Sequence, residues 1–264
     1  MNRRNAAPPN PMHIEVTFTP AEFDWLRQQP LDDTACVVFD VLRATSTIVT
    51  ALARGAQAVR PVGSIADALA VRAADPAVLL AGERDGLRIT AAQTGGVDFD
   101  LGNSPREYTA ARVAGRRIVS TTTNGTRAFA ACQGARHLLA GSFLNLSATA
   151  RHLARLNADR VVLVCSGTGE NVAFEDCLAA GALCERLRGL NPQARFTDSA
   201  SFAADLFAAN QHDLPAALEK STNARRLLAH PELAEDVAYC FAENLHPEVV
   251  AADAEGWLRR GGVA

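Results

Sequence analysis

Polar side chains that could hold an anion or a metal ion gather in five short segments of the sequence. These segments are 40–47, 82–86, 102–105, 121–127 and 165–169. Each stands where the chain is predicted to leave a strand or enter a helix, and in α/β proteins such ends form the ligand crevice. Their mixture of hydroxyls, amides, arginines and carboxylates predicts a site for a small, strongly anionic substrate together with a metal ion.

Acidic residues are the candidates for metal binding and catalysis. Asp40 ends a buried strand pattern, where a carboxylate is costly without a partner, and Mg²⁺ prefers such oxygen ligands. The alternative is a structural pairing of Asp40 with Arg43 or with a helix N-terminus. Glu83 could supply a second metal ligand or a general base, or belong to a charged surface turn. Asp176 is a third candidate ligand, although the helix dipole alone favours acids early in a helix.

Arginines and helix-start hydroxyls supply candidate contacts to an anion. Arg43, Arg84 and Arg127 each lie in a polar turn, and guanidinium groups bind oxyanions through paired hydrogen bonds. Helix starts add free N–H groups and a partial positive charge, although Ser, Thr and Asn there are also ordinary caps. The remaining candidate contacts are Thr45, Ser46, Asn103, Thr121, Thr122, Thr123 and Asn124.

Alternating strand and helix patterns predict an α/β fold with a largely parallel sheet, helices on both faces and a helical C-terminal part. Strands are expected within 13–18, 36–39, 57–62, 77–81, 117–120, 136–140 and 160–164. Helices are expected within 45–54, 64–74, 125–132, 143–156 and 173–187, and through most of 198–243. Segments 38–69 and 118–150 echo one another, which suggests a duplicated βαβα unit whose polar turns, 40–47 and 121–127, face one cleft. Ordinary likeness between α/β units is the alternative.

Length and composition narrow the class of protein. The 264 residues are 48% hydrophobic and 21% charged, which predicts a single domain at 13–264, with any subdomain boundary near 110–116. Residues 1–12 contain two arginines followed by no apolar run, and we expect them to be a disordered lead. The net charge of −3 argues against nucleic acid as a partner, and no apolar run is long enough to span a membrane. We therefore expect a cytoplasmic protein whose partner is a small acid, and leave a homodimer open.

Six cysteines without close spacing are expected to be buried free thiols.

Taken together, these motifs resemble the 2-phosphosulfolactate phosphatase (ComB-like) family. The matching stretches are Asp40 to Thr47, Ala81 to Arg84, Asp100 to Pro105, Thr121 to Arg127, Gly141-Ser142 with Asn145, and Glu175-Asp176 followed by Ala180-Gly181. The sequence departs from the family at Ser166, where alanine is expected, and in the glycine-rich stretch 95–99. The match thins beyond Asp198.

The resemblance implies a Mg²⁺-dependent phosphatase that hydrolyses 2-phospho-3-sulfolactate to 3-sulfolactate and phosphate, a step in coenzyme M biosynthesis. It also adds Ser142 to the candidate contacts. A phosphatase acting on other 2-phospho hydroxy acids and a non-enzymatic small-anion-binding protein are the alternatives. Carboxylates at Asp40 and Glu83 favour an enzyme, because a pure anion binder gains nothing from negative charge there.

Overall fold

Short apolar segments build a central sheet of 11 strands. The computed structural model describes residues 11–156 and 158–261. The strands are β1 His13–Thr17, β2 Thr34–Phe39, β3 Ala58–Pro61, β4 Leu79–Arg84, β5 Leu87–Arg88, β6 Arg117–Thr121, β7 His137–Gly141, β8 Arg160–Cys165, β9 Arg195–Phe196, β10 Val249–Ala252 and β11 Leu258–Gly261. Residues 1–10 of the predicted lead lie outside the described residues, whereas Met12 is buried in the core.

Helices occupy the connections between these strands. They are α1 Phe23–Arg27, α2 Ala44–Ala53, α3 Ile65–Ala74, α4 Ala91–Thr94, α5 Ala110–Val113, α6 Gly125–Ala131, α7 Leu146–Arg155, α8 Phe174–Leu190, α9 Asp198–Asn210, α10 Leu214–Leu218, α11 Thr222–Leu228 and α12 Pro231–Cys240. Short 3₁₀ turns cover Pro20–Glu22, Pro105–Glu107 and Phe143–Asn145. Among the described residues, no helix combines the length and apolarity needed to cross a membrane.

Alternating side chains of each strand face two helical layers, as the period of a strand requires. In β2, Val37 and Phe39 pack in a core with α7, α8 and α9. Cys36 and Val38 pack on the opposite face with α1, α2 and α6. The predicted α/β fold with a mostly parallel sheet covered by helices is thus confirmed, as is the burial of all six cysteines as free thiols.

Two parallel groups of strands make up most of the sheet, in the order β5-β4-β6-β3-β11-β10-β7-β2-β8-β1-β9. The strands β7, β2, β8, β1 and β9 are mutually parallel, and so are β3, β6 and β4. The hairpin of β10 and β11 stands between the groups, and all three pairings across it are antiparallel. The two groups therefore run in opposite directions along the ladder.

The sheet order is symmetric about this hairpin. The strands β2 and β6 occupy equivalent places in the two groups, and so do β3 and β7. Each of the helices α2 and α6 thus crosses from one group to the other. This symmetry is what a duplicated βαβα unit would produce, although the duplication itself stays a prediction.

The C-terminal part differs from the predicted purely helical segment. Its helices α9 to α12 are present, but they are followed by β10 and β11, which the prediction did not include. The alternation of these two short strands is weak, and their place is fixed by pairing with β7 and β3, more than 100 residues away in the sequence. Local sequence carries little information about such distant pairing.

Close contact between α8 and α9 depends on Gly181. A methyl group at this position would lie 2.0 Å from the Ala203 carbonyl oxygen. We therefore expect Gly181→Ala to separate the helices and lower the free energy of unfolding by about 1–3 kcal/mol. Gly189→Ala on the same helix is the matched control, because nothing lies within 4 Å of its added methyl group; it should stabilise by up to about 1 kcal/mol. Urea unfolding of both variants checks this, and equal effects would contradict it.

Candidate functional site

The polar turns after β2 and β6 lie against each other. A methyl group on Gly125, the first residue of α6, would lie 2.8 Å from Asp40 Oδ2 and 2.9 Å from the Cβ of Ala44, the first residue of α2. The two turns thus meet as predicted, whereas a shared ligand site between them stays a prediction. The prediction that they meet at a single edge of a parallel sheet is wrong, because the strand groups that contain β2 and β6 run in opposite directions.

Asp40 is buried at the junction of the two turns. Its Oδ1 accepts a hydrogen bond from the Ala44 backbone N–H (3.1 Å), which is the predicted alternative of pairing with a helix N-terminus. Burial raises the pKa of Asp40 to about 6, with further increases from the nearby charges of Glu83 and Glu175 and opposing effects from the bonds of Ala44 and Ser166. Asp40 therefore lies among other acids rather than beside a cation.

Asp176 joins the turn after β2 to the loop after β8. Its Oδ1 accepts from the Val41 N–H (2.8 Å), and its Oδ2 accepts from the Ser166 hydroxyl (3.0 Å) and the Gly167 N–H (3.2 Å). Burial, followed by the charges of Glu175 and Asp40, raises the pKa of Asp176 well above its usual range. Because both oxygens already accept hydrogen bonds, Asp176 fixes these two segments relative to each other.

Glu175, the neighbour of Asp176, binds the N-terminal end of α11. Its Oε2 accepts from the Ser221 hydroxyl and its Oε1 from the Asn223 amide, both at 2.6 Å. Asn223 also donates to the Thr168 hydroxyl (2.6 Å). The C-terminal helices are thereby attached to the site through buried polar contacts.

Glu83 links the turn after β4 to the turn after β6. Its Oε1 accepts from the backbone N–H (2.9 Å) and the hydroxyl (3.0 Å) of Thr123, and its Oε2 accepts from the Gly86 N–H (2.7 Å). These contacts hold Glu83 where its charge raises the pKa of Asp40. They also give both of its carboxylate oxygens a positioning role, while catalysis and metal binding by Glu83 stay predictions.

Arg43 forms a buried ion pair that the sequence did not reveal. Its Nη1 donates to Asp236 of α12 (2.7 Å) and its Nη2 to the Gly86 carbonyl (2.7 Å). Asp236 also accepts from the Ser104 hydroxyl (2.7 Å). Arg43 therefore pairs with Asp236 instead of the predicted alternative, Asp40, and its charge is already compensated.

The other two predicted arginines differ in their surroundings. Arg84 donates to the Glu83 carbonyl (2.6 Å) and the Thr121 hydroxyl (3.2 Å), both neutral groups. Arg127 lies at the surface, where it pairs with Glu170 (2.8 Å) and donates to the Gly169 carbonyl (3.2 Å). Of the two, Arg127 is the one whose charge is paired with an acid in the described part of the chain.

Most of the predicted hydroxyl and amide contacts hold the turns in shape. Thr45 binds the backbone of Asp40, and the Ser46 hydroxyl donates to the Val41 carbonyl (2.9 Å). The backbone carbonyl of Asn103, rather than its side-chain amide, accepts from the Thr47 hydroxyl (2.9 Å), and the Asn124 side chain accepts from the Gly169 N–H (3.2 Å).

The side chains of Thr122 and Ser142 differ in their hydrogen bonding. The Thr122 hydroxyl oxygen is buried without a hydrogen-bond partner in the described part of the chain. Ser142 instead forms a capping box with Asn145, whose side-chain oxygen accepts from the Ser142 N–H (3.0 Å). This explains Ser142 as a helix-start residue without a ligand.

Sequence reasoning missed several residues of this network. Ser166 appeared only as part of a loop, and Glu175 only as an acid favoured by the helix dipole. Ser221, Asn223 and Asp236 lie beyond residue 198, where the resemblance thins. The cap pattern that begins at Ser221 predicts a helix start there, but nothing in the sequence indicates which acid it contacts.

The predicted ligands of Mg²⁺ are the carboxylates of Asp40, Glu83 and Asp176. Among the described residues, no group of three or more His, Cys, Asp or Glu side chains is arranged to hold a metal ion, so the predicted set of Asp40, Glu83 and Asp176 does not form such a group. Asp40 and Asp176, whose pKa values are raised by burial and by neighbouring acids, nevertheless suit a hard cation, and Mg²⁺ is commonly held by one or two carboxylates, water and substrate phosphate. The residues fit that kind of site, with Asp40 as its centre.

Comparison with known proteins identifies the family of this chain. The family model described as 2-phosphosulpholactate phosphatase matches residues 23–254. The chain belongs to this family. Membership in the 2-phosphosulpholactate phosphatase family, which covers nearly all of the described strands and helices, places it among phosphoric monoester hydrolases, as the resemblance predicted.

Several relatives cover almost the whole chain. A relative from Carboxydothermus hydrogenoformans is 37% identical over 250 residues, 95% of each chain. One from Pseudothermotoga lettingae is 41% identical and covers 88% of this chain and 92% of its own. One from Deinococcus radiodurans is 39% identical and covers 87% and 93%, respectively. Each is named "Probable 2-phosphosulfolactate phosphatase".

The buried pair of Arg43 and Asp236 should be essential for stability. Removing one partner leaves an uncompensated buried charge, so we expect Asp236→Ala to lower the free energy of unfolding by about 3–5 kcal/mol. The double variant Arg43→Met/Asp236→Leu should lose less, because no unpaired charge remains. Urea unfolding measures both variants. A single variant within about 0.5 kcal/mol of the wild type, as for ordinary surface changes, would show that the pair contributes little.

Proposed function

We propose that the protein is a Mg²⁺-dependent phosphatase that converts 2-phospho-3-sulfolactate and water to 3-sulfolactate and phosphate. The observation that carries the proposal is the position of Asp40, a buried carboxylate against which the first residues of α2 and α6 meet. Membership in the family supports 2-phospho-3-sulfolactate as the substrate. The same site chemistry would also serve other 2-phospho hydroxy acids, which remain the second candidate substrates.

The turns supply the parts that monoester hydrolysis requires. In this reaction water attacks phosphorus, the bond between phosphorus and the ester oxygen breaks, and that oxygen takes up a proton to become the 2-hydroxyl group of the product. Thr122 can donate its unpartnered hydroxyl to the phosphoryl group, and Arg84 carries a positive charge beside Thr121. Donors preset in this way stabilise the charge of the transferring group.

Asp40 would be the main metal ligand of such a site. Mg²⁺ bound there would neutralise charge on the transferring phosphoryl group. Glu83, Glu175 and Asp176 are fixed by the hydrogen bonds described above, and the charges of Glu83 and Glu175 make the field around Asp40 negative. That field favours a cation at this position, and a phosphate group enters it only with positive charge to compensate.

A substrate panel tests the proposed function directly. Phosphate release should be measured from 2-phospho-3-sulfolactate and from 2-phospholactate, with MgCl₂ or with EDTA. One additional charged contact contributes about 1.5–3 kcal/mol, so we expect kcat/KM to be roughly ten- to 150-fold higher for the sulfonated substrate, with loss of activity in EDTA. Equal values for both substrates would favour the broader class of 2-phospho acids. No release from either would overturn the proposal, and full activity in EDTA would overturn its metal requirement.

Asp40 can be tested by activity and by metal binding. We expect Asp40→Asn to reduce kcat by at least about 100-fold. Millimolar MgCl₂ should raise the Tm of the wild type but not of this variant, because a bound ligand stabilises only the state that binds it. Asp205→Asn, at an exposed position of α9, is the matched control and should behave as the wild type. An active Asp40→Asn variant, or one whose Tm still responds to MgCl₂, would remove Asp40 from the mechanism.

A further inference from the structure

The helix α11 forms one wall of the site. At its N-terminal end, Ser221 and Asn223 bind Glu175. Further along, Arg226 reaches the turn that carries Glu83, because a methyl group on Gly86 would lie 4.0 Å from Arg226 Nη2. The charges of Glu83 and Glu175 both raise the pKa of Asp40, so α11 extends between two acids that lie near the candidate catalytic residue.

Arg226 carries a positive charge that nothing described compensates. Arg43 pairs with Asp236 and Arg127 with Glu170. Arg226 has no carboxylate within 4.0 Å and no hydrogen-bond acceptor among residues 11–156 and 158–261, and its side chain is exposed at the edge of the site. An exposed guanidinium in this state is free to bind an incoming oxyanion.

The neighbouring residue Arg225 does not share the position of Arg226. Asn223 and Arg226 are three residues apart and so lie on the same face of the helix. Arg225 instead donates to the Glu219 carbonyl (2.5 Å) and the Thr222 hydroxyl (3.1 Å). Two consecutive arginines on one short helix thus have different surroundings, and only Arg226 approaches the turn of Glu83.

We propose that Arg226 determines substrate specificity by binding the anionic group that is not transferred, the carboxylate or the sulfonate. The inference rests on the proposed function for the identity of the substrate. Its physical basis is charge: Asp40, Glu83, Glu175 and Asp176 have no Lys, Arg or His within 4.0 Å in the described part of the chain. A substrate with three anionic groups needs a cation outside this cluster, and the planar fork of arginine matches the oxygens of a carboxylate or a sulfonate.

The test compares Arg226→Gln with the matched control Arg225→Gln. The substrates are 2-phospho-3-sulfolactate, 2-phospholactate with the carboxylate alone, the phosphate ester of isethionate with the sulfonate alone, and ethyl phosphate with neither. Arg226→Gln should raise KM about tenfold or more, with kcat within about twofold, for substrates that carry the recognised group. KM for ethyl phosphate should not change, and Arg226→Lys should recover part of the loss. The two single-anion substrates show which group Arg226 binds.

Direct binding separates failure of this inference from failure of the proposed function. A wild type that releases phosphate from none of the substrates refutes the proposed function, and calorimetric titration with 3-sulfolactate then decides the role of Arg226. We expect Arg226→Gln to raise Kd about tenfold while Arg225→Gln leaves it unchanged. The inference is overturned if Arg226→Gln and Arg225→Gln have equal kinetic effects or, where there is no activity, equal effects on Kd. It is also overturned if the wild type neither hydrolyses the substrates nor binds 3-sulfolactate.

Discussion

Burial of four carboxylates in one place is the constraint on which this structure depends. Asp40, Glu83, Glu175 and Asp176 are all at least nine-tenths buried, and an unsatisfied buried charge would be very costly. Backbone N–H groups and side-chain donors of the neighbouring turns satisfy them. Because Glu83, Glu175 and Asp176 each accept a hydrogen bond from a distant segment, the same bonds that satisfy these acids also hold the segments of the site together.

The symmetric sheet brings these segments together. Crossing of α2 and α6 between the two strand groups places their first residues in contact at Ala44 and Gly125. The two turns then contribute different chemistry, an acid on one side and hydroxyls on the other. Only a residue without a side chain fits at position 125, so the glycine of the Asn-Gly-Thr-Arg motif is explained by packing against Asp40.

Much of the fold and the centre of the site could be predicted from the sequence. Apolar runs followed by polar turns gave β2, β6 and β8 and placed Asp40 and Thr122 at strand ends, because period and capping are local properties. The hydrogen-bond partners of the site residues could not be predicted in the same way. The bonds of Arg43 to Asp236 and of Glu175 to Ser221 join residues 193 and 46 positions apart, and no local pattern specifies such pairs.

The same limit explains why the predicted roles of the arginines shifted. Arg43 and Arg127 lie in polar turns as expected, yet each is matched by an acid in another part of the chain. Arg226 lies in a segment without a recognisable motif. A charge pattern indicates that a residue can bind an anion, whereas the availability of that residue depends on tertiary contacts that only the structure shows.

The position of β10 and β11 has a consequence for how the chain acquires its structure. These strands follow all the others in the sequence, yet they stand at the centre of the sheet, between the two parallel groups. During synthesis, both groups therefore leave the ribosome before the hairpin that joins them exists. Until then β3 and β7 each present an unpaired edge, a known template for pairing with another chain. The two groups of strands are therefore joined late, and α2 and α6 meet only then. The contacts that join them link residues far apart in the sequence, and such high contact order makes folding slow.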